Sequence, residues 1–164
     1  MRSLSLYTKL GFDVTASCVV MRGKPGGGPP AGVVVRPLTE HDLEECEALC
    51  KQVHGFERTG ALRDALQAFA PFAALRDGRI VAYATTLTFW PMAHGVAEED
   101  EDMQALLLGA AAALDEPLAL LVPLESDLFR WCLGQGLRGV KPMNVMARGE
   151  YQEPSGSWFP SVLY

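Results

Sequence analysis

The chain has 164 residues, 49% of them apolar and 21% charged, with a net charge of −6. That charge excludes a nucleic-acid binder, which needs a basic stripe to meet phosphate, and no apolar run approaches the ~20 residues of a membrane span. A single domain of this size buries roughly 70% of its unfolded surface, so its fold requires neither a disulfide nor a metal.

Residues 3–10 read as a short helix closed by Gly11, and residues 12–21 alternate loosely as a strand. Residues 24–32 are rich in glycine and proline and form a linker, so the main domain starts at Val33. Val33, Val34, Val35 and Arg36 make a β-branched strand ended by Pro37. Thr39 then stands as an N-cap with Asp42 three residues on, a variant of the capping box. Leu43, Cys46, Leu49, Cys50 and Val53 follow at helical spacing, and Leu62, Ala65, Leu66 and Phe69 carry a second helix. Residues 72–75 and 79–89 pair as a hairpin around Asp77 and Gly78.

Met103, Leu106, Leu107, Ala110, Ala111 and Leu114 stay in register over a third helix, which Pro117 stops. Residues 118–122 form a buried strand of continuous apolar character. A fourth helix (128–133) and a last long strand (140–147) follow. Trp158, Phe159, Val162 and Leu163 suggest a final short strand, with Trp158, Phe159 and Tyr164 packed on the sheet. This order predicts a mixed α/β sheet with helices on both faces.

The end of the chain repeats its beginning. At an offset of 125, Gly11 and Phe12 fall on Gly136 and Leu137; one inserted residue later, Arg22 and Gly23 fall on Arg148 and Gly149. Both copies read as helix, glycine stop and strand. The apolar residues of the first copy (Leu4, Leu6, Leu10, Phe12, Val14, Val19 and Val20) need a cover, and its strand exposes an edge. Residues 1–23 are therefore expected to dock on the main sheet or on a second protomer, giving a homodimer. Residues after Met1 are too polar for a signal peptide, and four cysteines without paired spacing fit reduced thiols, so a cytoplasmic location is expected.

The element order and the run Leu6-Tyr7-Thr8-Lys9-Leu10-Gly11-Phe12 resemble the GNAT (Gcn5-related N-acetyltransferase) superfamily. The arrangement is similar to bacterial tandem-GNAT proteins. The resemblance implies a GNAT-like, mostly antiparallel central sheet with helices on both faces. Residues 1–23 then match the closing helix and strand of a preceding domain, and residues 33–164 match a complete second one. It further implies acetyl-CoA as donor and a small-molecule amine as acceptor. The donor would lie where two strands splay, with pantetheine along the edge of residues 83–89. Its pyrophosphate would sit on orphan amides at the start of the next helix, in a loop of pattern Arg/Gln-x-x-Gly-x-Gly/Ala. Tyr7 matches the family's general acid toward the leaving thiolate, whereas the complete domain carries Cys132 at that position.

The chain departs from this pattern at the phosphate loop. Residues 89–102 hold one glycine, Pro91 deletes an amide donor, and five consecutive acids (98–102) occupy the helix start. Two charges ~8 Å apart at an effective dielectric of ~20 interact by about 2 kcal/mol before screening. Several acids facing a pyrophosphate would thus weaken binding by two or more orders of magnitude. The same acids stabilise their own helix end by roughly 0.3–1 kcal/mol each. The expectation is a domain degenerate for acetyl-CoA, with no cofactor and a structural, substrate-side or dimerisation role. The alternative is an acetyl-CoA-dependent N-acetyltransferase using Tyr7, its site completed by another chain or a longer sequence.

Other groups carry weaker signals. Cys46, Cys50 and His54 share one helix face, but they stack along its axis instead of converging on a metal. Cys132 reads as a small core residue. His94 is a candidate for proton transfer because histidine titrates near neutrality. The acids at 98–102 lack the alternation and turn glycine of a calcium loop.

Overall fold

The computed structural model describes residues 2–162, so the expected roles of Leu163 and Tyr164 lie outside the described residues. In chain order the elements are α1 (Arg2–Lys9), β1 (Asp13–Gly23), β2 (Val33–Pro37), α2 (Leu43–His54), α3 (Thr59–Ala68), β3 (Phe72–Arg76) and β4 (Arg79–Ala84). Then come β5 (Gly95–Ala97), α4 (Asp100–Ala113), β6 (Leu118–Pro123), α5 (Asp127–Gly134), β7 (Arg138–Ala147) and β8 (Ser157–Phe159). The strands form two sheets, ordered β2-β3-β4-β5-β8 and β6-β1-β7, with antiparallel pairing throughout.

Local chemistry accounts for the first half. Asp42 accepts from the Thr39 amide at 2.8 Å and the Thr39 hydroxyl at 2.9 Å, the expected capping arrangement, and a 3-10 turn (Glu40–Asp42) leads into α2. Arg36 from β2 donates to both oxygens of the same carboxylate. That guanidinium, aided by Thr39 and opposed by burial, holds Asp42 well below the usual carboxylate range. The stripe of α2 buries Cys46, Leu49, Cys50 and Val53 against β4 and β5. On the other face α4 lies across β2, β3 and β4 and buries Met103, Leu106, Leu107, Ala110 and Ala111. Helices therefore cover both faces of the five-stranded sheet.

One predicted strand is shorter than the sequence suggests. The run over 79–89 stops at Ala84, because Thr85 turns the chain. Its hydroxyl donates to the Met92 carbonyl at 2.8 Å and accepts from the His94 amide at 2.9 Å, while the Thr85 amide bonds the His94 carbonyl. Pro91 has no amide to continue a ladder. The chain returns as β5, antiparallel to β4, and enters α4 from there. The strand leading into α4 is thus β5, not residues 83–89.

β1 is the central strand of its sheet. It pairs with β6 from Cys18 to Gly23 and with β7 from Asp13 to Arg22. The β1–β7 pairing reproduces the internal repeat as a local two-fold relation. Asp13 faces Ala147, the counterpart of Met21, and Arg22 faces Arg138, the counterpart of Asp13. Two copies of one helix–strand unit thus lie side by side, running in opposite directions. Cys18, Val20 and Met21 are buried.

Candidate functional site

The gap between the two sheets opens beside the start of α4, with β5 entering that helix and β6 leaving it. β8 fills this gap. It pairs with β5 through Gly95–Phe159, Val96–Trp158 and Ala97–Ser157, and it also lies against β6 and α4. A β-carbon on Gly95 would stand 2.3 Å from the Phe159 ring, so glycine is the residue that lets the phenyl group seat there. Gly156 turns the chain into β8 with φ of 86°, and a β-carbon there would meet the Ala97 carbonyl at 2.6 Å. Phe159 is fully buried. A second tie crosses the gap where the Ala119 amide of β6 donates to the Leu87 carbonyl at 2.8 Å.

The acids at the start of α4 are held by the neighbouring hairpin. Glu98 bonds both guanidinium nitrogens of Arg79, which lowers its pKa, and the buried Asp102 accepts from Arg76 at 2.7 Å. Glu99 at the N-cap makes no side-chain capping bond. Two of the five acids are therefore neutralised by arginines from β3 and β4, and the expected self-capping of the helix gives way to cross-element pairing. The two pairs should differ in worth. Arg76→Gln strands a carboxylate that is 7% exposed and is expected to cost more stability than Arg79→Gln. Arg79→Gln, in a more open pair, should cost under ~1 kcal/mol; urea unfolding of both variants checks the ranking.

Cys132 lies in the main core between α5, α4 and β6, fully buried, and burial pushes its thiol up to about 12. A buried thiol that holds its proton so tightly is a core side chain. Tyr7 stands half-exposed on α1, its ring edge-on to Phe12 at 5.5 Å. It faces a groove of about 780 Å³ that it lines with Leu4, Leu121, Met143, Asn144 and Ser161. The structure thus places Tyr7 beside β6 and β7, and Cys132 in the core under α5.

The residues that converge most closely were not paired by sequence reasoning. His54 from α2 and His94 before β5 are both 1% exposed, their rings 5.2 Å apart. Trp158 of β8 meets His54 edge-on at 5.9 Å, and Tyr83 of β4 meets His94 at 6.2 Å. Cys50 and Tyr83 share a side-chain hydrogen bond. Burial first, and the Arg58 charge second, push His54 down to about 4. The same causes, with His54 added, hold His94 well below its usual value. Burial favours the neutral form of both rings, so the proton-transfer role considered for His94 does not fit the closed structure, and a position that reads in the sequence as a polar loop residue is instead buried. Among the described residues no three His, Cys, Asp or Glu side chains are placed to hold a metal, and no helix is long and apolar enough to cross a membrane.

A mostly antiparallel sheet split beside the start of a central helix, with helices on both faces, defines a GNAT-like α/β fold. Comparison with two solved structures agrees on the fold. A protein from Pyrococcus horikoshii aligns over 98% of this chain at 14% identity and TM-score 0.71. A Drosophila protein aligns over 88% at 14% identity and TM-score 0.59. The chain spans 55% of the length of each. A GNAT-family protein from Novosphingobium aromaticivorans aligns over 85% of this chain and 69% of its own, at 17% identity and TM-score 0.48. The Pyrococcus and Novosphingobium proteins are described as putative acetyltransferases. No protein-family model and no curated protein matches the sequence.

Proposed function

We propose that this GNAT-like domain holds no acetyl-CoA in its own cleft at neutral pH and serves a structural, substrate-side or dimerisation role. The pairing of β8 with β5 carries the reading. A donor whose pantetheine ran along that edge would compete for the same amides and carbonyls as residues 157–159. Pro91 and the three acids at 99–101 add a second obstacle, since few amides and a residual negative charge face any diphosphate. Exposed Leu6 on α1 and Leu10 just after it support the dimerisation part of the proposal, and light scattering showing a monomer counts against it. Four free, buried cysteines support a reducing, cytoplasmic setting.

Thermal unfolding with and without millimolar acetyl-CoA tests the cleft. A ligand at 100 times its dissociation constant stabilises by ~2.7 kcal/mol, which moves the midpoint of a domain this size by roughly 5–10 °C. The expected shift is under ~1 °C, and a shift of 5 °C overturns the proposal.

The groove beside Tyr7 favours a second reading, acetyl transfer from acetyl-CoA to a small-molecule amine with Tyr7 as acid. A thiol-release assay with a panel of amines distinguishes the two. Under this reading Tyr7→Phe lowers turnover about 10²–10⁴-fold, whereas under the first there is no turnover to lower.

A further inference from the structure

Among the described residues, the C-terminal segment that fills the cleft is fastened at three places. At its start the Ser155 amide donates to the Val53 carbonyl at 2.8 Å, and the Ser155 hydroxyl donates to the Gln52 carbonyl at 3.1 Å. In the middle β8 pairs with β5. At its end Arg58 donates to the Ser161 hydroxyl at 3.3 Å, and the Val162 amide donates to the Pro91 carbonyl at 2.8 Å. By contrast β1, the central strand of the other sheet, is paired with β7 from Asp13 to Arg22 and with β6 from Cys18 to Gly23.

Under this strap lie the two imidazoles. Trp158 covers His54, and His94 immediately precedes Gly95, the residue on which Phe159 rests. Among the described residues, the titratable or charged groups around the pair are Cys50 from α2, Arg58 from the loop after it and Tyr83 from β4. From the strap come Trp158 and the hydroxyl of Ser161. Glu47 of α2 accepts from the Thr59 hydroxyl.

We infer that residues 155–162 form a proton-sensitive strap: protonation of His54 and His94 beside Arg58 releases it and exposes the edge of β5. The inference rests on the reading that β8 occupies the donor's place in the cleft, and it concerns how that place is opened. Its sign follows from linkage. Closed, both rings resist protonation because they are buried beside a cation. With the strap lifted and water admitted, they return toward an ordinary value near 6.5, so the open form binds more protons below that pH. At pH 5.5 each hydrated ring favours opening by about tenfold relative to pH 7.5, roughly a hundredfold for both. Cys50 and Tyr83 do not titrate in this window, because burial raises both.

Hydrogen exchange on the intact chain at pH 7.5 and 5.5, corrected for the intrinsic rate, reads the strap directly. Protection of the β8 amides should fall by 10- to 100-fold at pH 5.5 while that of β3, β4 and β6 holds. Unchanged β8 protection, or equal loss across the whole sheet, overturns the inference. His54→Gln and His94→Gln should each remove about a tenfold step, and retention of the full pH response in either variant also overturns it. Should both fail to fold, Arg58→Gln serves instead. It loosens the end of the strap at every pH, but by relieving the repulsion it should shrink the fall in β8 protection between pH 7.5 and 5.5, and a larger fall overturns the inference. Coenzyme A binding at pH 7.5 with β8 still protected would sink the closed-cleft reading and leave the strap's pH response to be judged on exchange alone.

Discussion

Phe159→Ala is expected to destabilise the domain by about 3–5 kcal/mol, the range for truncating a fully buried phenyl group. The upper part of that range applies here for a geometric reason. The ring sits against Gly95, which has no side chain to collapse into the vacated volume, and against the main core that α4 fills. β8 is three residues long, so its ladder holds little without the anchor. A loss of this size is a third to a half of a typical domain's stability, and urea unfolding should show it as a lower midpoint with little change in slope. A cost under ~1 kcal/mol would mean that β8 is not a firm occupant of the gap, which would remove the main support for a closed cleft. Gly95→Val tests the same contact from the other side. Its side chain must displace the ring, so it should release β8 protection in hydrogen exchange as Phe159→Ala does.

How much of this was legible in the sequence depended on the range of the interaction. The helical stripe of Cys46, Leu49, Cys50 and Val53 was readable because a 3.6-residue period needs only local spacing. The Asp77 and Gly78 turn was readable because both positions take positive φ, 52° and 79°, which few residues accept. The run from Thr85 to Phe89 misled because β-branched and aromatic residues suit a strand, while the Thr85 hydroxyl that turns the chain also suits a turn. For the candidate site the gap was wider. His54 and His94 lie 40 positions apart, and nothing in either neighbourhood points to the other. The choice of β5 as partner for a three-residue strand is likewise a long-range event. Its one local trace was paired glycines, Gly95 among buried residues and Gly156 before two aromatics, since a lone glycine in a strand marks close approach of another chain segment.

The internal repeat was visible as a motif, but its pairing was not, and the pairing sets the largest effect expected of any change. Removing residues 1–23 should abolish cooperative folding of the remainder. β1 lies between β6 and β7, so its loss leaves both without the partner they share, and β3 cannot replace it because it already has β2 and β4 as neighbours. Cys18, Val20 and Met21 are each buried, and burying a Val or Met side chain contributes about 1.5–3 kcal/mol. Together with the partly buried Val19, and with backbone bonds on two edges that would be left unmade, the sum approaches the whole 5–15 kcal/mol available to a domain. The 24–164 fragment should therefore lack a sigmoidal urea transition, and a synthetic peptide of residues 1–23 should restore one by supplying the missing central strand. A fragment that unfolds cooperatively on its own would show instead that the three-stranded sheet is an accessory, and that the helix–strand unit is bound to a domain complete without it.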